Sequence, residues 1–221
     1  MLEEKGRKFA QGYNFYKIFW VFLIGSAAGD LIETVFCRVA LGSWMSRSSV
    51  IYGHFSVIWG FGAVILTVLL HGLQGKRDAY VFFAGTVLGG MYEYLCSFAA
   101  EKVFGVTFWD YSKLPLNVNG RINLPYCLFW GIVAVAWVKE IYPRLSGLIE
   151  RIPAQMGKSL SWVLVVLMTA NMAVSASALA RSLERQQNPE CSSAYEAFLD
   201  RHYPDEVLKA VYPKMKFVDG T

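Results

Sequence analysis

The chain has 221 residues, 55% of them hydrophobic and only 17% charged, whereas a soluble domain carries about 25% charged residues. That deficit excludes an ordinary water-soluble fold. The net charge of +4 is modest, and its basic residues gather at the ends of apolar stretches, so they read as topology signals and exclude a nucleic-acid surface. The four cysteines include no CxxC pair, which leaves neither a zinc motif nor a redox motif to read.

Residues 1–14 form a polar N-terminal segment. Lys5, Arg7 and Lys8 then precede an apolar stretch, and Ser26-Ala27-Ala28 has the small residues of a signal-peptide cleavage site. The helical pattern nevertheless runs on past Gly29 to about Val39, so the stretch is read as an uncleaved first span. A helix needs about 20 mostly apolar residues to cross the hydrocarbon. Five segments qualify, at about 15–40, 50–71, 79–102, 124–142 and 159–181. The expected architecture is an all-α polytopic bundle over residues 15–181, with a polar tail over 182–221. No internal repeat is evident along the chain.

Glycines such as Gly25, Gly29, Gly60, Gly85 and Gly89 sit within the first three segments, where small residues let membrane helices approach closely. Basic residues favour one face: Lys5, Arg7, Lys8, Lys17, Lys76, Arg77, Lys139, Arg144, Arg151 and Lys158 lie there. Arg38, Arg47, Lys102, Lys113, Arg121, Arg181 and Arg185 lie on the other. The positive-inside rule then predicts a cytoplasmic N-terminus. Residues 141–159 become a cytoplasmic connector of some amphipathic character. In the tail, Ser193 and Glu196 have capping-box spacing, and Pro204 opens a second short helix.

Because spans alternate in direction, the polar residues converge on one half of the membrane. Glu33 lies near the far end of the first span, His54 in the first turns of the second, and Glu93 past the middle of the third. Asp110, Asn119, Arg121 and Asn123 follow in the loop and at the start of the fourth. Each charged residue costs about 2.5–3.5 kcal/mol in the membrane on insertion scales, so such groups are expected to meet in a polar cavity or to pair. Asp30 and Glu33, at i and i+3, share one helix face, and Arg121 is the expected counter-ion. Three roles are open to the cluster: neutralised structural charges, a transport site for a cation or a cationic substrate, or acid–base groups acting on a lipid-linked substrate. A metal centre from His54, Glu33 and Glu93 has no supporting spacing, and no cofactor is indicated. In the loop "FWDYSKLPLNVNGRINL", Asn119-Gly120 is a strong turn signal. A connector of about twenty residues is long enough to be a binding loop.

The strings "GDLIETVFC", "VIYGHFSVIWGFGAV", "GGMYEYLCSFAAEKVFGVTFWDYSKLPLNVNGRINL" and "LFWG" together resemble the CmpB-like, type IV family of bacterial ABC-transporter permeases over about residues 15–140. That resemblance implies a multi-pass protein of the bacterial cytoplasmic membrane, in contact with lipid, and directs attention to Glu33, Glu93, Asp110, Asn119 and Arg121 as candidate substrate-binding residues. Asp30 and His54 depart from the family's strings and, with Asn123, are weaker candidates. The chain contains no phosphate loop of the Gly-x-x-x-x-Gly-Lys-Ser/Thr type. A permease of this kind therefore implies a separate ATPase subunit, for which the 141–159 connector offers the docking surface. The alternatives are a membrane enzyme acting on lipid or cell-envelope material, and a non-catalytic scaffold or sensor.

Overall fold

The computed structural model describes residues 9–218. Lys5, Arg7 and Lys8, used above for orientation, lie outside the described residues, as does most of the polar N-terminal segment. Helix α1 (Phe15–Leu41) begins where the Asn14 side-chain oxygen accepts from the Lys17 N–H at 3.0 Å, and it stops at Gly42, whose φ of 73° suits a residue without Cβ. α2 (Val57–Leu70) returns antiparallel and is prolonged by one tight turn, His71–Leu73. α3 (Asp78–Phe104) runs outward again to Gly105. The loop after it contains strand β1 (Val106–Thr107) and a hairpin of β2 (Asn117–Val118) with β3 (Ile122–Asn123). α4 (Leu124–Ala136) continues through a widened π turn, Trp137–Ile141, into α5 (Tyr142–Ile149). The long α6 (Ala154–Gln187) is followed by α7 (Ala194–His202), α8 (Asp205–Val211) and β4 (Lys216–Phe217), which pairs antiparallel with β1.

The expected all-α helical bundle is what forms. Among the described residues, four rods are long and apolar enough to cross a membrane: Phe15–Leu41, Asp78–Phe104, Leu124–Ile149 and Ala154–Gln187, with Val57–Leu73 as a shorter apolar helix. At the face where α1 starts, the fully buried Lys17 donates to Glu150 at 2.8 Å and to the Ser146 carbonyl at 3.1 Å, and Trp20 donates to Ser161 at 2.9 Å. These contacts tie α1 to α5 and α6. This is called the N-terminal face below, and the opposite one the far face.

Two boundaries differ from the sequence reading, each for a local reason. The second segment is helical only from Val57, although apolar residues begin at Val50. Residues 43–56 fold back into the bundle as irregular chain, which membrane depth tolerates only where the backbone is satisfied by protein. The Ser48 hydroxyl serves the Val50, Gly53 and Phe55 carbonyls, Ser175 takes the Ile51 N–H, and Asn171 takes the Tyr52 N–H and donates to its carbonyl. The connector expected over 141–159 is helical to Ile149, leaving only Glu150–Pro153 as a turn. Pro143 lacks the N–H that would bond the Lys139 carbonyl, and the helix absorbs the loss by widening over Trp137–Ile141 instead of ending.

The bundle also contains an internal repeat that the sequence reading missed. In α1 and α2, a Cβ added at Gly25 would meet Ala63 Cβ at 2.8 Å, one at Gly29 would meet Trp59 Cβ at 2.1 Å, and one at Gly60 would meet Ser26 Oγ at 2.0 Å and the Phe22 carbonyl at 2.7 Å. In α3 and α4 the same positions recur: Gly85 against Ala134 Cβ at 2.2 Å, Gly89 against Trp130 Cβ at 2.3 Å, and Gly131 against Thr86 Oγ1 at 2.3 Å and the Phe82 carbonyl at 2.8 Å. The pattern Val-Phe-x-x-Gly-Ser/Thr-x-x-Gly-x-x-x-Glu begins at Val21 and again at Val81, and Trp-Gly-x-x-Ala begins at Trp59 and again at Trp130. Each repeat is thus one glycine-locked helix pair. A pair crosses and returns, so both repeats start from the N-terminal face and share one orientation, as in parallel-repeat transporters.

The tail packs on the far face. Ser193 caps α7, accepting from the Glu196 N–H at 3.2 Å, and Glu196 returns a bond to the Ser192 N–H at 2.7 Å, so the capping spacing read from sequence is used. Buried Arg181 on α6 donates to Asp200 at 2.8 and 3.0 Å, and Arg185 bridges Asp200 and Asp205. The Arg181 guanidinium holds the Asp200 carboxyl well below the usual carboxylate range, with Cys191 and Arg185 adding to the effect. The backbone N–H of Ser192 and the Ser193 hydroxyl do the same for Glu196. A depressed folded pKa stabilises above the unfolded value, about 3.9 for Asp and 4.3 for Glu, and that contribution disappears as pH falls through the folded value. Limited proteolysis should therefore find the tail docked from pH 8 to pH 5 and released only below about pH 4. Release between pH 7 and pH 6 would rule out the carboxylates as its clasp.

Candidate functional site

The shortness of α2 creates the main cavity. α1 and α3 have 27 residues each, which gives a rise of about 40 Å, and the 14 residues of α2 give about 21 Å. α2 begins at the level of Gly29, as the Trp59 contact shows. In the far half no helix therefore fills the space between α1 and α3. The result is a cavity of about 760 Å³ between the two repeats. α6 walls it through Met172, Ser175 and Leu179, and the tail covers it through Tyr212, Pro213 and Lys214.

The base of the cavity is aromatic and paired. Trp59 and Trp130, the equivalent tryptophans of the two repeats, have ring centroids 5.5 Å apart. Glu33 and Glu93, four residues beyond Gly29 and Gly89, both line the chamber. Trp130 donates its indole N–H to Glu93 Oε2 at 3.1 Å, and Trp59 lines the chamber together with Glu33. Beyond this the repeats diverge. Glu93 receives a second neutral donor, the Tyr111 hydroxyl at 2.9 Å. Burial and the Glu93 charge push the Tyr111 phenol up, so it stays an O–H donor at neutral pH. Tyr111 stacks on Tyr126 with centroids 4.9 Å apart. Glu33 has no such tyrosine donor among the described hydrogen bonds, and Arg47 of the irregular segment lines the same cavity.

Of the residues singled out from sequence, the structure brings Glu33 and Glu93 into one chamber and places the others around it. Arg121 does not reach either acid: it pairs with Glu101, donates to Ser97 at 3.3 Å, and lies over the rings of Tyr94 and Phe98. Arg47, by contrast, lines the cavity. Asp110 is exposed in the far loop, accepting from the Ser112 N–H at 2.8 Å and the Ser112 hydroxyl at 2.5 Å, which keeps its carboxyl below the usual range. Asn119 and Gly120 are the two positive-φ residues of the hairpin turn, and Asn119 donates to the Tyr94 hydroxyl at 3.0 Å. Asn123 caps α4 through the Tyr126 N–H. Asp30 is buried but serves the irregular segment 43–56, accepting from the Arg47 N–H at 2.8 Å and the Ser46 hydroxyl at 2.9 Å, with His54 at 3.2 Å. Sequence reasoning missed Arg47, Trp59, Trp130, Tyr111 and Tyr126. The repeated Trp-Gly pair was the available signal for two of them.

A glycine-locked bundle of helices long and apolar enough to cross a membrane, together with the family match, marks a membrane protein related to transport. The particular family follows from the sequence match: the family model described as "Putative ABC-transporter type IV" matches residues 20–176, and the chain belongs to that family. Neither the curated proteins nor the solved structures yield a significant match.

Proposed function

We propose that this protein is a permease subunit of the bacterial cytoplasmic membrane, with its substrate site in the cavity between the repeats and Glu33 and Glu93 as its charged groups. The observation that carries the reading is that each repeat contributes one glutamate, from the same register position, to a single chamber. Parallel-repeat transporters bind substrate at the repeat interface, and rocking of one repeat against the other exposes it alternately. The excess of basic residues on the N-terminal face supports a cytoplasmic position for that face, and the cavity then lies in the outer half. Energy comes from a separate nucleotide-binding chain. Its docking surface is α5, the turn Glu150–Pro153 and the first turn of α6, where Arg144, Leu148, Arg151 and Met156 are exposed.

Purification from native membranes tests this. A second chain with a phosphate loop is expected at a fixed ratio, and Arg151→Glu should weaken its retention and the associated ATP hydrolysis severalfold. A protein that purifies alone from native membranes, with no ATP hydrolysis attached, would overturn the permease reading in favour of a membrane enzyme or scaffold.

A further inference from the structure

The asymmetry between the two half-sites points to the chemistry of the ligand. Glu33 and Glu93 occupy equivalent positions in the cavity, whose lining also includes Arg47, next to Ser46 and Ser48 of the first repeat. Glu93 is buried and receives only neutral donors, Trp130 and Tyr111. An ionised carboxylate offers about four acceptor sites, so two remain for a ligand. The walls around Glu93 are aromatic faces: Trp130 against Trp59, Tyr92 edge-on to Trp130, and Tyr111 stacked on Tyr126. Aromatic rings around one carboxylate form the environment that holds organic ammonium ions, through ring quadrupoles and a single countercharge, without requiring a hydrated small ion to lose its shell.

The rim specifies the rest of the molecule. Ile32 and Phe36 of α1, Phe61 of α2 and Phe129 of α4 line the cavity yet are exposed on the outside of the bundle, where the bilayer lies. Access through that rim is apolar. The volume of about 760 Å³ lies within the range of about 300–1,000 Å³ that holds drug-sized ligands.

Building on the reading of the cavity as a substrate site, we propose that its ligand is a lipophilic organic cation, an amphiphile with an ammonium-type head that docks at Glu93 and an apolar body that enters between the repeats from the bilayer. Tetraphenylphosphonium and tetraphenylborate, alike in shape and opposite in charge, test the charge preference. The full chain in nanodiscs is titrated by equilibrium dialysis and tryptophan fluorescence, with uptake by protein-free nanodiscs subtracted. The phosphonium ion should bind saturably and quench fluorescence, and the borate should not. Glu93→Gln should weaken phosphonium binding about tenfold or more, at unchanged size-exclusion profile. Arg47→Gln should tighten it severalfold by removing a competing positive charge from the cavity lining. Preferential borate binding would overturn the cation assignment while leaving the substrate site in place. Equal phosphonium affinity in wild type and Glu93→Gln, or binding of neither ion, would also overturn it. ATP hydrolysis by the native complex, from the same preparation, then reports separately whether the permease reading survives.

Discussion

Trp130→Ala should be among the most destructive single substitutions in the bundle, lowering stability by about 3–5 kcal/mol, the usual cost of truncating a buried tryptophan. The indole is buried, sits against the bare backbone of Gly89, and meets Trp59 and Tyr92. In a bilayer, helix pairing depends on such contacts because lipid tails are as apolar as the side chains they replace. Alanine would leave a hole between the repeats and strip Glu93 Oε2 of its indole donor. Trp130→Phe separates the two losses. It keeps most of the packing and removes only the hydrogen bond to a charged group, worth about 1.5–3 kcal/mol. Thermal melting of the purified protein should therefore rank wild type above Phe and Phe above Ala. If alanine melts with the wild type, the cavity base is not the keystone its contacts make it.

Gly29→Ala and Gly89→Ala should be comparably harmful to each other, because they are the same position in two repeats. The new methyl carbon would lie 2.1 Å from Trp59 Cβ in one case and 2.3 Å from Trp130 Cβ in the other. Those atoms adjoin the helix backbone, so no rotamer change relieves the clash, and the paired helices must separate. Overpacking of this kind costs about 1–3 kcal/mol and occasionally more. In α1 the separation would also strain the bond from the Ser56 N–H to the Ser26 carbonyl, which fixes the start of α2. A matching fall in melting temperature for both variants is the expected result. Gly72→Ala, where an added Cβ meets nothing within 4 Å, should leave melting unchanged. Loss in only one of the two repeat variants would contradict their equivalence.

Much of the bundle is legible in the sequence because membrane helices announce themselves by length and apolarity. All five segments contain helix, the second only from Val57, and Glu33 and Glu93 share a depth because alternating directions require it. Three features are not legible by those means. Arg121 looks like the counter-ion from its depth alone, but Glu101, one helix turn beyond Ser97, takes it first. The start of α2 is hidden because Val50 and Ile51 are as apolar as a helix needs, and only the tertiary partners Asn171 and Ser175 make their irregular backbone tolerable. The repeat is hidden because the glutamates are sixty positions apart (33 and 93) and the tryptophans seventy-one (59 and 130), so no single shift aligns both helices of a pair. The extra length lies in the long loop that carries Tyr111. That loop supplies Glu93 with a neutral donor, where the corresponding loop of the first repeat brings Arg47 to the cavity lining.

The C-terminal tail is fastened to both repeats at once. Tyr203 bonds Tyr52 of the first at 2.8 Å, while β4 pairs with β1 and Tyr212 packs on Phe108 of the second. It therefore acts as a cross-brace over the far-face gap between two repeats that meet directly deeper in the bundle, through Trp59 on Trp130, Tyr92 on the Ile58 carbonyl and Trp137 on Thr67. The tail holds the first repeat by Tyr203 on Tyr52, by the Tyr212 hydroxyl on the Ser49 carbonyl at 3.4 Å and by packing against Ile51, and the second by a strand pair backed by an aromatic contact. Spreading of the repeats at the far face therefore has to break tail contacts on both counts, hydroxyl and strand alike.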